Sequence, residues 1–201
     1  MNPQPVGGEY MPWHFSFAFL IACITAYAPP VCAGQRAGVH PLHSGDPFPQ
    51  ISGQTLTNKP LALPAAAAGK PAFVVFSFSR AAGKDARLWN ERLFKDYSNS
   101  NAIAVPGFQV IVLEWVPKLI RGMAVSRMKS NMPLAVQDRT IVSYVDEAVW
   151  KQHLAVSDDN RAYLFLLDPD GRIRWSNSVG FTDSEYTRLK EVLGNMLQSH
   201  P

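Results

Sequence analysis

Cysteine is scarce in this chain: of 201 residues only Cys23 and Cys32 carry a thiol, and both lie near the N-terminus. Any activity that needs a sulfur nucleophile, a resolving thiol or a thiolate metal ligand is therefore excluded from everything after residue 32. Cationic blocks are missing as well. The net charge is only +3 and the Lys and Arg residues are scattered, so nucleic acid is not an expected partner. His40 and His43 stand close together, but no cysteine or carboxylate cluster accompanies them. A zinc site wants three or four ligands, and neither a metal nor a cofactor is expected.

Long apolar runs are also few. The most apolar stretch spans residues 15–28, is short for a bilayer span and ends at Pro29-Pro30, which reads as the hydrophobic part of an export signal. Val31-Cys32-Ala33 offers small residues for cleavage after Ala33, leaving a thiol-free protein that starts at Gly34. Leu20-Ile21-Ala22-Cys23 reads alternatively as a lipobox with Cys23 the acylated residue, and an uncleaved anchor ranks third. The segment before it lacks Lys and Arg, and the first arginine is Arg36, which argues against a mitochondrial presequence. Residues 1–33 are thus expected to be an export segment, 34–44 an exposed lead-in and 45–201 one domain. The protein is expected in the periplasm or tethered to the outer side of the cytoplasmic membrane, through Cys23 or the N-terminal segment.

What is present is an α/β pattern on a chain that is 47% hydrophobic, enough for one substantial core. Ala72-Phe-Val-Val-Phe-Ser-Phe78 is a strand buried on both faces. The small and polar residues 79–84 follow, and Ala86, Trp89, Leu93 and Tyr97 then recur at helical spacing. Residues 108–115 supply a second buried strand, and a right-handed parallel crossover is the expected connection. From Pro117 a basic helix is expected, with Val116, Leu119, Ile120 and Met123 as an apolar stripe and Lys118, Arg121, Arg127 and Lys129 around it; packing of the stripe on the sheet is expected ahead of docking on a membrane or a partner helix.

Further on, residues 140–144 form a strand candidate and 146–154 a short helix. Ala162 to Leu167, the turn Asp168-Pro-Asp-Gly171 and Arg172 to Trp175 make the clearest hairpin. Thr182-Asp-Ser-Glu185 has capping-box spacing ahead of an amphipathic helix carrying Tyr186, Leu189, Val192, Leu193, Met196 and Leu197.

Gly45-Asp46-Pro47-Phe48-Pro49 running into a small hairpin, then Gly69-Lys70-Pro71 and the buried strand, is similar to the opening of redoxin domains. The order of elements resembles a thioredoxin-like fold: a central mixed β-sheet flanked by helices, entered through a redoxin-style N-terminal hairpin. Residues 110–175 resemble more narrowly the ATP-synthase assembly-factor family, a thioredoxin-like group without the catalytic cysteines. The matching features are the basic helix, Met132-Pro133, Asn160 and Asp168-Pro-Asp-Gly-Arg-Ile-Arg-Trp175.

The resemblance implies that the Cys-x-x-Cys pair of a thioredoxin would fall at Ala81 and Lys84, and its cis-proline at Ala162. Ser79, Arg80, Ala81, Lys84 and Ala162 are then positions of a degenerate redox site. Ser79 is a hydroxyl with no activating base nearby in sequence, and His153 is a lone histidine.

The family likeness also implies an assembly or chaperone-type role for a membrane or envelope complex, with a protein partner and no turnover. Arg80, Lys84, Arg87, Arg121, Met123, Arg127, Arg174 and Trp175 are the candidate partner-binding residues. The alternative reading is a redoxin-family oxidoreductase. Arg80, Lys84 and Arg87 at a helix N-terminus could also attract an anion, and local compensation by Asp85 is the blander expectation.

Overall fold

The computed structural model describes residues 40–97, 105–144 and 146–199. The expected export segment, with Cys23 and Cys32, lies outside the described residues. Residues 38–201 form one compact unit.

Strands Ile51–Thr55 (β1) and Pro60–Leu63 (β2) make the entry hairpin, pairing Ile51 with Leu63 and Gln54 with Pro60. A 3₁₀ turn at Ala65–Ala67 leads into Ala72–Ser77 (β3), all six residues of which are buried. Helix Arg80–Tyr97 (α1) then crosses to Gly107–Val112 (β4), which runs parallel to β3 with Phe73 beside Gly107 and Ser77 beside Ile111. After Arg121–Ser130 (α2) and the single turn Leu134–Gln137 (α3), Thr140–Ser143 (β5) adds to β4 in parallel and to β1 antiparallel. Glu147–His153 (α4) precedes the hairpin Tyr163–Leu167 (β6) and Ile173–Asn177 (β7), and Asp183–Ser199 (α5) follows. The strand order is β2-β1-β5-β4-β3-β6-β7.

Because side chains alternate along a strand, β3 feeds two cores. Val74 and Phe76 join Phe108, Val110, Ile141, Phe165 and Ile173 on one face, where Trp150 of α4 leans against Phe76 with ring centroids 5.4 Å apart. Phe73 and Val75 face the other way, against Ala86, Trp89 and Leu93 of α1 and Tyr186, Leu189 and Leu193 of α5. The lead-in is pinned at its end: Leu42 packs on the first core and its N–H donates to the His153 carbonyl at 2.8 Å.

The Asp168 turn is built as its sequence requires. Asp168 Oδ1 accepts from the N–H groups of Asp170 and Arg172, and Oδ2 pairs with Arg174 Nε at 3.1 Å. Gly171 has φ +76° and a Cβ there would stand 2.8 Å from Pro64 Cγ, so only glycine fits.

The capping box is half realised. Thr182 Oγ1 accepts the Glu185 N–H at 3.1 Å, whereas the Glu185 carboxylate turns to Asn177 and Arg188.

One expectation is corrected. The apolar stripe after Pro117 does not pack on the sheet: Val116 is buried, but Leu119 is 98% exposed, Ile120 46% and Met123 68%. The segment is not one helix. Lys118–Ile120 is a 3₁₀ turn, and its three residues per turn rotate the stripe away from the sheet before α2 begins. Ala124 and Met128 take its place against Ile111, Leu113 and Val116.

Candidate functional site

The turn from β3 into α1 is where the sequence expects a degenerate redox site. Ser79 is the N-cap of α1: its Oγ accepts the Ala82 N–H at 3.1 Å, and its carbonyl accepts the Gly83 N–H at 3.0 Å. The hydroxyl is therefore engaged in holding the helix end. His153 is engaged elsewhere, with Nδ1 3.2 Å from the His40 carbonyl and its ring against Trp150. Ala81 and Lys84 sit exposed in the first turn of α1, on one side and three residues apart. Ala162 is fully buried, and its backbone reaches the same helix.

The link between them is Asp85, which the sequence suggests only as a charge compensator. Its Oδ2 accepts the Ala162 N–H and its Oδ1 accepts the Phe181 N–H, each at 2.9 Å. One carboxylate thus ties α1 to the entry of β6 and to the connection ahead of α5. Gly180, at φ +86°, lets the backbone come this close, since a Cβ there would lie 2.8 Å from Asp85 Oδ2. Periodicity gave no signal for this role, because the partners are backbone groups 77 and 96 residues away.

With Asp85 committed to the backbone, the cations nearby are not neutralised by it. Arg87 pairs with Glu91 at 2.6 Å. Arg80 and Lys84 make no ion pair among the described residues. Beside them, Lys151 bridges Glu147 at 2.8 Å and Asp159 at 2.7 Å, and its ammonium lies 5.7 Å from the Phe78 ring centroid. Its hydrogen bonds to Asp159 and then to Glu147 raise its pKa above the usual lysine value.

A groove of about 1,920 Å³ opens between α1 and α2. Ser77, Gln109 and Ile111 contribute to its floor, and Arg80, Lys84, Met123 and Arg127 border it. The buried Gln109 side chain accepts a hydrogen bond from Asn90 Nδ2 at 3.5 Å.

The remaining candidates make contacts within the fold. Arg121 donates to the Val116 and Glu114 carbonyls and lies 4.5 Å from the Tyr144 ring centroid, closing the turn before α2. Arg174 belongs to the Asp168 turn. Trp175 is half-buried, with its ring edge-on to Trp89 at 6.0 Å. The structure brings together Arg80, Lys84, Met123 and Arg127 around one opening and leaves Arg174 and Trp175 out of it. Among the described residues no group of three or more His, Cys, Asp and Glu could hold a metal ion, and no helix is long and apolar enough to cross a membrane.

Solved structures support the fold. A thiol:disulfide interchange protein DsbE from Chlorobium tepidum superposes with a TM-score of 0.57 at 13% identity, over 78% of this chain and 99% of that one. The thioredoxin domain of a thiol-disulfide oxidoreductase from Bacteroides vulgatus gives 0.53 at 20% identity, over 75% and 99%. A thiol peroxidase from Chromobacterium violaceum gives 0.52 at 12% identity, over 79% and 90%. No curated protein matches the sequence. The pattern of the ATP10 protein family matches residues 43–196, from the end of the lead-in nearly to the end of α5. On a thioredoxin-like fold, this chain belongs to the ATP10 protein family.

Proposed function

We propose that this protein is a non-catalytic binding module that assists assembly of a membrane or envelope protein complex, exported and either free in the periplasm or tethered through its N-terminal segment. The observation that carries the reading is the first turn of α1. Ala81 and Lys84 stand exposed at a capped helix N-terminus, where a dithiol would be activated, and neither has a sulfur. The scaffold is kept while the nucleophile is gone. Membership of the ATP10 family and the likeness to ATP-synthase assembly factors support a membrane-complex client. The open groove and the unpaired cations around it supply a surface for a protein partner.

Two outcomes test this reading. A full chain with Cys23→Ser and Cys32→Ser is expected to show no insulin or peroxide reduction. Adding Ala81→Cys and Lys84→Cys places two thiols at a helical i,i+3 spacing, within the ~4.4–6.8 Å Cα separation a disulfide needs, and is expected to yield measurable insulin reduction. Activity in the serine variant would sink the non-catalytic reading. In cells lacking the protein, native gels of membrane complexes are expected to lose an assembled species. The cysteine-to-serine full chain should restore it if the role is assembly without thiol chemistry.

A further inference from the structure

We propose that the 3₁₀ turn Lys118–Ile120 and the exposed face of α2 form a docking surface for an anionic lipid bilayer. This goes beyond the assembly reading, which survives if the surface proves not to bind lipid. The surface is apolar at its tip and cationic around it. Leu119 is 98% exposed, Met123 68%, Trp115 54% and Ile120 46%, although the fold has ample core in which to bury residues of these types. Leu119 lies in the 3₁₀ turn, and Met123 and Arg127, four residues apart in α2, share one side of that helix.

Charge decides the partner. From Trp115 to Gln137 there are four cations, Lys118, Arg121, Arg127 and Lys129, and no Asp or Glu. Arg121 is used internally, but Lys118, Arg127 and Lys129 make no ion pair among the described residues. Arg80 and Lys84, which make no ion pair among the described residues, border the same opening as Trp115, Ile120, Met123 and Arg127, and the carboxylates on its lining, Glu91 and Asp138, are engaged by Arg87 and Lys59. Such a cluster complements an anionic surface and repels a cationic one.

The shape favours lipid over a peptide in the neighbouring groove. A groove-bound helix is held by side chains that line a concavity. Here the most exposed of the large apolar side chains, Leu119, projects from a turn, and Trp115, four residues before it and itself exposed, carries an amphipathic ring suited to the headgroup level. Apolar tips that enter the acyl boundary, with Lys and Arg reaching lipid phosphates around them, use every feature of this patch.

The test is flotation of the full chain with vesicles of phosphatidylcholine alone or mixed with phosphatidylglycerol. Binding is expected to be stronger to the mixed vesicles and to fall with added salt. Neutralising two surface cations in Lys118→Gln/Arg127→Gln is expected to weaken it about thirtyfold, at roughly 1 kcal/mol per cation. Leu119→Glu/Met123→Glu should weaken it by about tenfold or more, with an unchanged melting curve because both side chains are exposed. These variants share the N-terminal segment with the wild type, so the differences report this patch. Brominated lipid should quench the wild type more than Trp115→Phe. Equal flotation of wild type and variants, or equal quenching, would overturn the proposal. So would binding of a synthetic acidic amphipathic helix with no preference for anionic vesicles, which would assign the surface to a protein instead.

Discussion

Replacing Trp89 with alanine is expected to destabilise the domain by about 3–5 kcal/mol, the usual cost of truncating a buried aromatic side chain to a methyl group. Trp89 is fully buried near the middle of α1, with ring centroids 5.1 Å from Phe181, 6.0 Å from Trp175 and 6.3 Å from Tyr186. It is the side chain through which α1, β7 and α5 meet on the same face of the sheet. Its indole Nε1 is buried without a hydrogen-bond partner among the described residues, so the ring contributes packing and edge contacts rather than a polar link. Trp89→Phe is therefore expected to cost much less than Trp89→Ala, since it keeps an aromatic ring and removes no hydrogen bond. Urea titration followed by circular dichroism measures both. For a domain of this size the alanine variant should melt about 10 °C or more below wild type. Equal losses for phenylalanine and alanine would show that the indole N–H, not the packing, holds the cluster.

The second large effect is expected at Asp85. Asp85→Ala leaves the fully buried Ala162 N–H without an acceptor and also frees the Phe181 N–H, at a cost of about 3 kcal/mol for two charge-assisted hydrogen bonds. Asp85→Asn should fall between, because its amide keeps one oxygen acceptor and turns an N–H₂ toward a donor. Native-state hydrogen exchange gives a readout that a generic loss of stability would not. The Ala162 and Phe181 amides should lose protection before the rest of β6 does. If both amides stay as protected as their neighbours in Asp85→Ala, the carboxylate is not what ties α1 to them.

Both predictions concern α1, the helix at whose start the redox cysteines of a thioredoxin would fall. The first turn of α1 is still capped by Ser79, so the helix N-terminus is formed as a thiol enzyme would need it. The carboxylate one position beyond Lys84 then spends both oxygens on backbone amides. Arg80 and Lys84 make no ion pair among the described residues and stand exposed beside the groove.

Much of this was legible in the chain. The continuous apolar run at residues 72–78 announces a strand buried on both sides, and the 3.6-residue spacing of Ala86, Trp89 and Leu93 announces a helix laid across it. The Asp168-to-Gly171 turn carries its own geometry in residue types. Local rules sufficed there because the deciding interactions lie within one turn or one strand. The stripe after Pro117 misled, since periodicity assumes one helix and a 3₁₀ turn changes the phase of everything after it. The family likeness puts Arg174 and Trp175 among the candidate partner-binding residues. Only the fold shows the arginine committed to Asp168 and the tryptophan to Trp89.

By itself, then, the sequence determined the order and type of the elements, the two faces of the central strand, and the absence of sulfur at the turn where a thioredoxin reacts. These follow from hydrophobic period, turn chemistry and residue identity, all of which are local. The tertiary structure alone decided that Asp85 serves backbone amides 77 and 96 residues away, that Arg121 closes a turn, and that Leu119, Met123 and Trp115 face outward beside unpaired cations. Those outcomes depend on which distant groups the sheet brings within 3 Å, and on where a helix leaves off covering it, and neither is written in any window of the chain.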